Sequence, residues 1–470
     1  MDATEGKSRE YFEKIIKGIF KFIGPKPKVS TKRQMFYKFE DGLYFNEVYF
    51  TGGFLMREGI LSNIRKYREV NNSTSYELFH YICKIMYHKI KSRVGVIDST
   101  LDVYLEKEDI NQGFFEMLKK LDNSCGEYTV YFISNLLVLR DINSVNIGKV
   151  SIKNLNEKII GELASNIEKP VFSNVYSPLA LALIEGDYFN PNRFLQEFKG
   201  KVIFETVVKG YHLDNEMSEV FNRGLREFKY ILSYLSVCKI FLENVASDQF
   251  SIKTEDIKTT NYFGTENNYQ IYYIKNNNKP ETWKTIKTIS DLGALPKFAF
   301  VIDKNLMKVI KERCELDNFN MIIQKGEYGE IGNKIRRCLD WIYKGMIEKN
   351  DTDKAIALFI SLETLMSTGP DPLTSLTDDL AENLAIITHN NVEDRLKEKK
   401  YFKSKIYTLR NKIMHNGYEI NWEDDWGKIE RLRIYIAWSV RWFIKNIDAI
   451  NKIGNDINTL KEYFEREKLK

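Results

Sequence analysis

Towards the C-terminus, apolar residues recur at helical spacing in one stretch after another, and this leaves the chain little choice but a helical bundle. Ile335, Leu339, Ile342 and Met346 keep one face, and Ala355, Leu358, Phe359, Leu362, Leu365 and Met366 keep the next. Leu376, Leu380, Leu384 and Ile387 form a third stripe, and Ile406, Leu409 and Ile413 a fourth. Ile429, Leu432, Ile436, Val440, Phe443 and Ile447 mark a last long helix, with a basic, partly amphipathic tail after it. A helix with one apolar side must bury that side, and five such helices close on one another as a bundle. Between the second and third, Ser367-Thr-Gly-Pro-Asp-Pro372 breaks the helix by a glycine and two prolines.

The rest of the chain reads as mixed structure. Residues 8–23 form an amphipathic helix that Gly24-Pro25-Lys26-Pro27 ends. Leu43–Phe50 is strand-like before the turn Thr51-Gly52-Gly53, and residues 76–91 return to helical spacing. Tyr128–Leu139 is the clearest strand material, and Val145–Ile152 looks like a second strand. A helix is expected over Asn156–Ile167 and a strand over Val202–Val208. From Asp214 to Val245 the pattern is helical; Tyr269–Ile274 reads as strand and Asn276–Pro280 as a turn. Gly326, Gly329 and Gly332 mark a hinge into the last domain, but they do not match the dinucleotide fingerprint. The expected class is α+β. A mixed α/β sensor or regulatory region (1–210) and a middle helical and strand region (211–325) precede an all-α domain (326–470).

With 470 residues, 43% of them hydrophobic and 29% charged, the chain is globular with room for a large core. A formal net charge of +5 does not by itself demand nucleic acid. The five cysteines are scattered and form no CxxC, which argues against a disulfide framework or a zinc site. No apolar leader follows the first methionine, and no apolar run approaches the roughly 18 residues of a membrane span, so a cytoplasmic protein is expected. His80 and His88, eight apart with no partner ligands, read as ordinary histidines. There is no GxxxxGK[ST], HExxH, EF-hand loop or GxSxG.

One stretch carries chemistry: Tyr407-Thr-Leu-Arg-Asn-Lys-Ile-Met-His-Asn-Gly417. Wound as a helix it puts Ile406, Leu409 and Ile413 on the core side. His415 projects to the other side with Asn411 one turn before it, and Arg410 lies between. Histidine suits proton transfer near neutral pH, arginine offers a planar fork of donors to phosphate oxygens, and Asn411 can orient the His or donate to the phosphate. Those groups serve attack of an RNA 2′-hydroxyl on its phosphate, and no metal or other cofactor is implied. One histidine cannot easily be acid and base on opposite sides of a scissile bond, so two copies of the motif meeting in a homodimer are expected. The bland reading is a His at a helix C-terminus favoured by the dipole and a solvated Arg. Glu363, on the flank of the second stripe, either holds the Arg410 guanidinium or bridges to a lysine. Tyr407 reads as a packing residue. Lys397, Lys399, Lys400, Lys403 and Lys405, interleaved with Tyr401 and Phe402, either guide an RNA backbone or form a solvated loop.

The Arg-x4-His pattern with a polar residue after the Arg resembles the signature of HEPN-domain ribonucleases. The preceding helix with Glu363, a Pro/Gly loop, another helix and a Tyr-x-x-Arg-Asn…His-Asn-Gly segment resemble the ApeA-like branch. The resemblance covers about Ile331 to Ile447. It implies a HEPN bundle and a metal-independent endoribonuclease acting at a composite dimer site. Arg410, Asn411 and His415 would be catalytic, with Glu363 and Tyr407 supporting. It also implies antiphage, abortive-infection defence: cleavage of cellular RNA, with tRNA a candidate, after a phage-derived trigger. Some minimal HEPN toxins carry a modifiable Tyr two positions after the His; here Tyr418 follows by three, so that regulation is not carried over. The alternative is a non-catalytic HEPN-like scaffold that binds RNA or a partner protein.

Overall fold

Phe12, Ile15 and Ile16 lie on helix α1 (Ala3–Ile19), which packs with α2 (Asn72–Val94) and α3 (Lys107–Ser124) around a core that includes Phe79, Ile82, Met86, Phe114 and Met117. Phe12 and Phe114 meet edge to face at 5.4 Å. Four short strands, β1 (Phe22–Gly24), β2 (Phe36–Lys38), β3 (Tyr44–Asn46) and β4 (Leu101–Asp102), form a sheet in the order β2-β3-β1-β4, with Ile23 opposite Phe45. These elements belong to one of two compact units in this computed structural model. The first comprises Met1–Thr129, Val208–Arg223 and Lys275–Pro280; the second comprises Val130–Val207, Gly224–Ile274 and Glu281–Lys470. The structure describes residues 3–20, 22–24, 36–38, 44–46, 56–67, 70, 72–95, 101–102, 105–134, 137–164, 202–212, 219–245, 271–277, 283–288, 300–325, 328–348, 350–368, 375–454 and 456–468. The expected breaks and turns at 25–27, 51–53, 278–280 and 369–372, the helix end at 165–167 and the helix start at 214–218 lie outside the described residues.

The second unit contains residues of all six strands of a larger sheet. They are β5 (Cys125–Ser134), β7 (Ser144–Ile147), β8 (Val150–Asn154), β9 (Val202–Tyr211), β10 (Ile271–Asn276) and β11 (Trp283–Thr288), in the order β11-β10-β5-β9-β8-β7. Two expectations are corrected here. Val145–Ile152 is a hairpin rather than one strand, because Gly148 (φ 59°) takes the left-handed conformation that a tight turn needs, and Val145 pairs with Ile152. Tyr128–Leu139 is two strands: β6 (Leu137–Leu139) leaves β5 and pairs in parallel with β12 (Phe300–Ile302). Helix α4 (Glu157–Ala164) follows β8.

Most of the other described residues of this unit are helical: α5 (Glu219–Val245, in this unit from Gly224), α6 (Lys304–Arg313), α7 (Leu316–Lys325), α8 (Gly329–Ile347), α9 (Asp351–Met366) and α10 (Leu376–Thr388). Next come α11 (Val392–Tyr401), a π-helical turn (Phe402–Tyr407), α12 (Thr408–Asn416), α13 (Trp422–Ile453) and α14 (Ile457–Lys468). The architecture is α+β and mostly helical. Helix α9 lies along α8 and against α13, and their stripes are buried, Ile335, Leu339, Leu362, Leu365, Leu432 and Phe443 among them. Leu376 departs from its stripe: it is the first residue of α10, beyond the core, and 43% exposed. The basic tail is itself a packed helix, since α14 buries Leu460 and stacks Phe464 on Trp442 at 5.3 Å. Helix α5 is tied to the bundle: Ser233 Oγ donates to the Leu339 carbonyl (2.8 Å), and Tyr234 stacks on Phe319 of α7 at 3.8 Å. Among the described residues no helix is long and apolar enough to cross a membrane.

Candidate functional site

The motif rides on a continuous rod from Val392 to Asn416. Asn391 starts it, its Oδ1 accepting from Asp394 N (2.8 Å). In mid-rod the π-helical turn accommodates Ile406 and Tyr407 side by side, both buried, and Thr408 Oγ1 donates to the Lys403 carbonyl (3.1 Å). Single π turns inside α-helices are rare and recur at functional sites. Gly417 (φ 62°) ends the rod in the left-handed conformation, and the Gly417 and Tyr418 N–H groups both donate to the Lys412 carbonyl. Tyr418 then donates to Asp425 Oδ2 (2.9 Å), fixing the turn to the start of α13. Burial raises the Asp425 carboxyl, but Lys428 and Tyr418 outweigh it and hold the group below its usual range.

Of the two readings of Glu363, the ion pair is the one found: Arg410 Nε donates to Glu363 Oε1 at 3.0 Å, both side chains being 19% exposed. The guanidinium lies 5.4 Å from the centre of the Tyr407 ring, and its other arm reaches Asn411 Oδ1 at 3.5 Å. Tyr407 is buried as expected of a packing residue; burial, then the Glu363 charge, push its hydroxyl pKa up. Ile406, Leu409 and Ile413 are buried, while Asn411 and His415 are exposed. Among the described residues His415 makes no hydrogen bond or ion pair. The geometry therefore gives a guanidinium fixed on its inner edge, an amide beside it and a free imidazole further along the same helix.

The lysine run is not a loop, and it is not five free charges. Lys397 pairs with Glu393 (2.7 Å), Lys399 with Glu382 (3.5 Å) and Lys403 with Asp378 (2.5 Å), the last two tying the rod to α10. Lys400 and Lys405 have no such partner among the described residues. A local ion pair weakens a lysine's pull on a phosphate, so these two are the least committed of the expected basic stretch.

Two features escaped the reading of the sequence. The first is a cavity of about 450 Å³ beside the ion pair, lined by Glu363, Lys334, Arg337, Glu330, Asn333 and Ser367 among others. Lys334 is buried, donates to the Ser367 carbonyl (2.7 Å), and is pushed down to about 8 by burial. It stands three residues after Ile331 and four before Cys338, on the apolar stripe itself, and a lysine at such a position is the signal that was there to find. The second is a buried carboxylate near the start of the rod. Glu398 accepts from Arg431 (2.8 Å) and Tyr435, and His389 Nε2 lies 2.9 Å away. Burial raises Glu398, yet Tyr435, His389 and Arg431 together leave it below its usual range. His80 and His88 lie on α2 in edge contacts with Tyr76 and Tyr87, away from the motif in sequence.

Among the described residues no group of three or more His, Cys, Asp or Glu side chains is placed to hold a metal ion. No protein-family model, no curated protein and no solved structure matches the chain, so the resemblance to HEPN ribonucleases stands on the residues named above.

Proposed function

We propose that the chain is a metal-independent endoribonuclease of HEPN type that cleaves cellular RNA, with tRNA as a candidate, in abortive-infection defence set off by a phage-derived trigger. The observation that supports this reading is the disposition of Arg410, Asn411 and His415. The guanidinium is oriented by Glu363 at 3.0 Å, and the imidazole stands in solvent on the side of the helix away from the buried Ile406, Leu409 and Ile413.

The reaction forms one bond and breaks one. The ribose O2′ attacks the adjacent phosphorus as its proton passes to an imidazole. The P–O5′ bond then breaks as a second imidazolium gives its proton to O5′. A 2′,3′-cyclic phosphate and a 5′-hydroxyl result. Guanidinium groups from both copies neutralise the phosphorane oxygens. One chain supplies one His415, so the two proton-transfer positions come from two copies about a two-fold axis. Met414, next to His415, is 48% exposed, which suits a face covered by a second copy.

The test is incubation of purified protein with total tRNA, followed by end-mapping. Cyclic-phosphate ends that disappear in His415→Ala, whose melting temperature is unchanged, support the reading. RNA binding with no cleavage by wild type would leave the scaffold alternative. Cleavage by a strict monomer in sedimentation would remove the two-copy mechanism.

A further inference from the structure

A second cleft, about 480 Å³, lies between α5, α7 and α8 and is lined by Arg226, Arg336, Arg337, Glu227, Tyr230 and Asp340 among others. Its construction is specific. The tip of the β7–β8 hairpin is pinned to α7, with Gly148 N donating to Asn320 Oδ1 (2.6 Å) and Gln324 Nε2 to the Gly148 carbonyl (2.7 Å). That fixing brings Lys149 of the same turn near enough to act on Glu227. Arg336 is held as part of the wall, donating to the Ile322 carbonyl (2.9 Å) and to Asn333 Oδ1 (2.7 Å).

The other polar groups are not satisfied in this way. Arg226 and Arg337 make no hydrogen bond or ion pair among the described residues. Glu227 Oε2 is buried and has no hydrogen-bond partner among the described residues. Burial pushes Glu227 up despite Lys149, Arg226 and Arg336, and pushes Asp340 up despite Arg226, Lys229 and Tyr230. Four cations thus act on the two carboxylates, with Arg337 in the lining beside them, and burial favours the neutral form of both. Two uncommitted guanidiniums beside an excess of positive charge fit a phosphate dianion better than a single carboxylate. An orphaned buried carboxyl oxygen costs free energy until a hydrogen-bonding group reaches it, and a ligand hydroxyl can pair with it in either protonation state. The volume lies in the range of small-molecule sites and exceeds what inorganic phosphate fills.

We propose that this cleft binds a free nucleoside monophosphate, with the terminal phosphate on Arg226 and Arg337 and a sugar hydroxyl or base N–H on Glu227. The cleft shares Asn333 and Arg337 with the cavity beside Glu363, but its lining contains none of Arg410, Asn411 and His415, and the proposal does not rest on the ribonuclease reading.

Equilibrium dialysis of the full chain with AMP, GMP, CMP and UMP, and with inorganic phosphate as competitor, tests it. Saturable binding of at least one nucleotide, competed by phosphate, is expected. Arg226→Gln and Arg337→Gln should each weaken it about tenfold or more, with melting curves little changed because neither side chain makes a hydrogen bond or ion pair among the described residues. Glu227→Ala should weaken it too, as the nucleoside-side partner. No saturable binding up to about 1 mM overturns the proposal, as does binding that the two arginine variants leave intact. A short RNA without a terminal phosphate that binds equally well, and is lost in the same variants, makes the cleft a subsite for RNA backbone and overturns the free-nucleotide assignment.

Discussion

Near its N-terminal end the rod Val392–Asn416 carries Glu398, bonded to Arg431, His389 and Tyr435; near its C-terminal end it carries Arg410, bonded to Glu363, over Tyr407, with His415 beyond. Both sets contain Glu, Arg, Tyr and His. They differ in how far each group is used up. Glu398 is 8% exposed in its side chain and fully partnered, and it ties the rod to α10 and α13. The C-terminal set has one ion pair on its inner edge, and its amide and imidazole are left in solvent. The same residue types form a closed clasp in one place and are left accessible in the other. Partner count and exposure separate the two, where residue identity does not.

The largest expected effect breaks the two sets apart. His415→Ala should lower RNA cleavage by about 10²–10⁴-fold with little change in melting temperature, since the exposed imidazole makes no hydrogen bond or ion pair among the described residues. A large loss of stability in this variant would put His415 among the clasps. Glu398→Ala should do the reverse, costing about 3–5 kcal/mol in urea unfolding, because Arg431 and the Tyr435 hydroxyl would lose their buried anion. If Glu398→Ala unfolds no more easily than wild type, the contrast fails.

Acid sharpens the same contrast. A carboxylate whose pKa falls on folding stabilises the native state above its unfolded pKa, and that stability is lost as pH falls through the folded value. Glu398 is such a group, so wild type should lose stability as pH drops below the ordinary carboxylate range. Glu398→Gln should start less stable near neutrality and show a flatter acid limb in melting curves taken across pH. Parallel curves would deny Glu398 a net part in acid unfolding.

How much of this was legible in the sequence follows the same line between local and long-range causes. The five striped helices between Ile335 and Ile447 were readable because each stripe is local and periodic, and the left-handed Gly417 because Asn-Gly ends helices in this way; α11, largely charged and without such a stripe, was not. The Glu363–Arg410 pair was readable only as one of two choices, since 47 residues separate the partners. The hairpin at Gly148 was missed because its flanking residues continue a strand-like composition through the turn. The π turn was missed because nothing in Phe402–Tyr407 disturbs the four-residue spacing of Phe402 and Ile406. The Glu398 clasp needs α10, the rod and α13 together, and no single window contains them.

Lys334 tests the contrast from a third position. A buried ammonium whose pKa falls to about 8 destabilises the fold while it is charged. The penalty is full below about pH 8 and fades towards the roughly 10.4 of a free lysine. Lys334→Met should therefore raise stability near pH 7 by about 1–2 kcal/mol after the lost bond to the Ser367 carbonyl is counted, and the gain should shrink between those two pH values. If cleavage falls while stability rises, Lys334 is kept for the cavity beside Glu363; if both are unchanged, that cavity has no part in the chemistry.

The smallest effects divide the lysine run. Lys397 and Lys403 are held by acids, and among the described residues Lys400 and Lys405 are not. A cation already neutralised by a neighbour releases few counterions when a phosphate arrives, whereas a free one releases close to one. Lys400→Ala and Lys405→Ala should each lower the slope of log K against log salt for RNA binding by roughly one, weakening all sequences alike. Lys397→Ala should leave the slope nearly unchanged, because Glu393 and Asp394 already hold its charge. Lys403→Ala should leave it nearly unchanged too, while loosening the tie to Asp378 by up to about 1 kcal/mol. Equal slopes for all four variants would mean that the RNA does not pass this face of the rod, and that the free lysines, unlike the free imidazole, are only solvated.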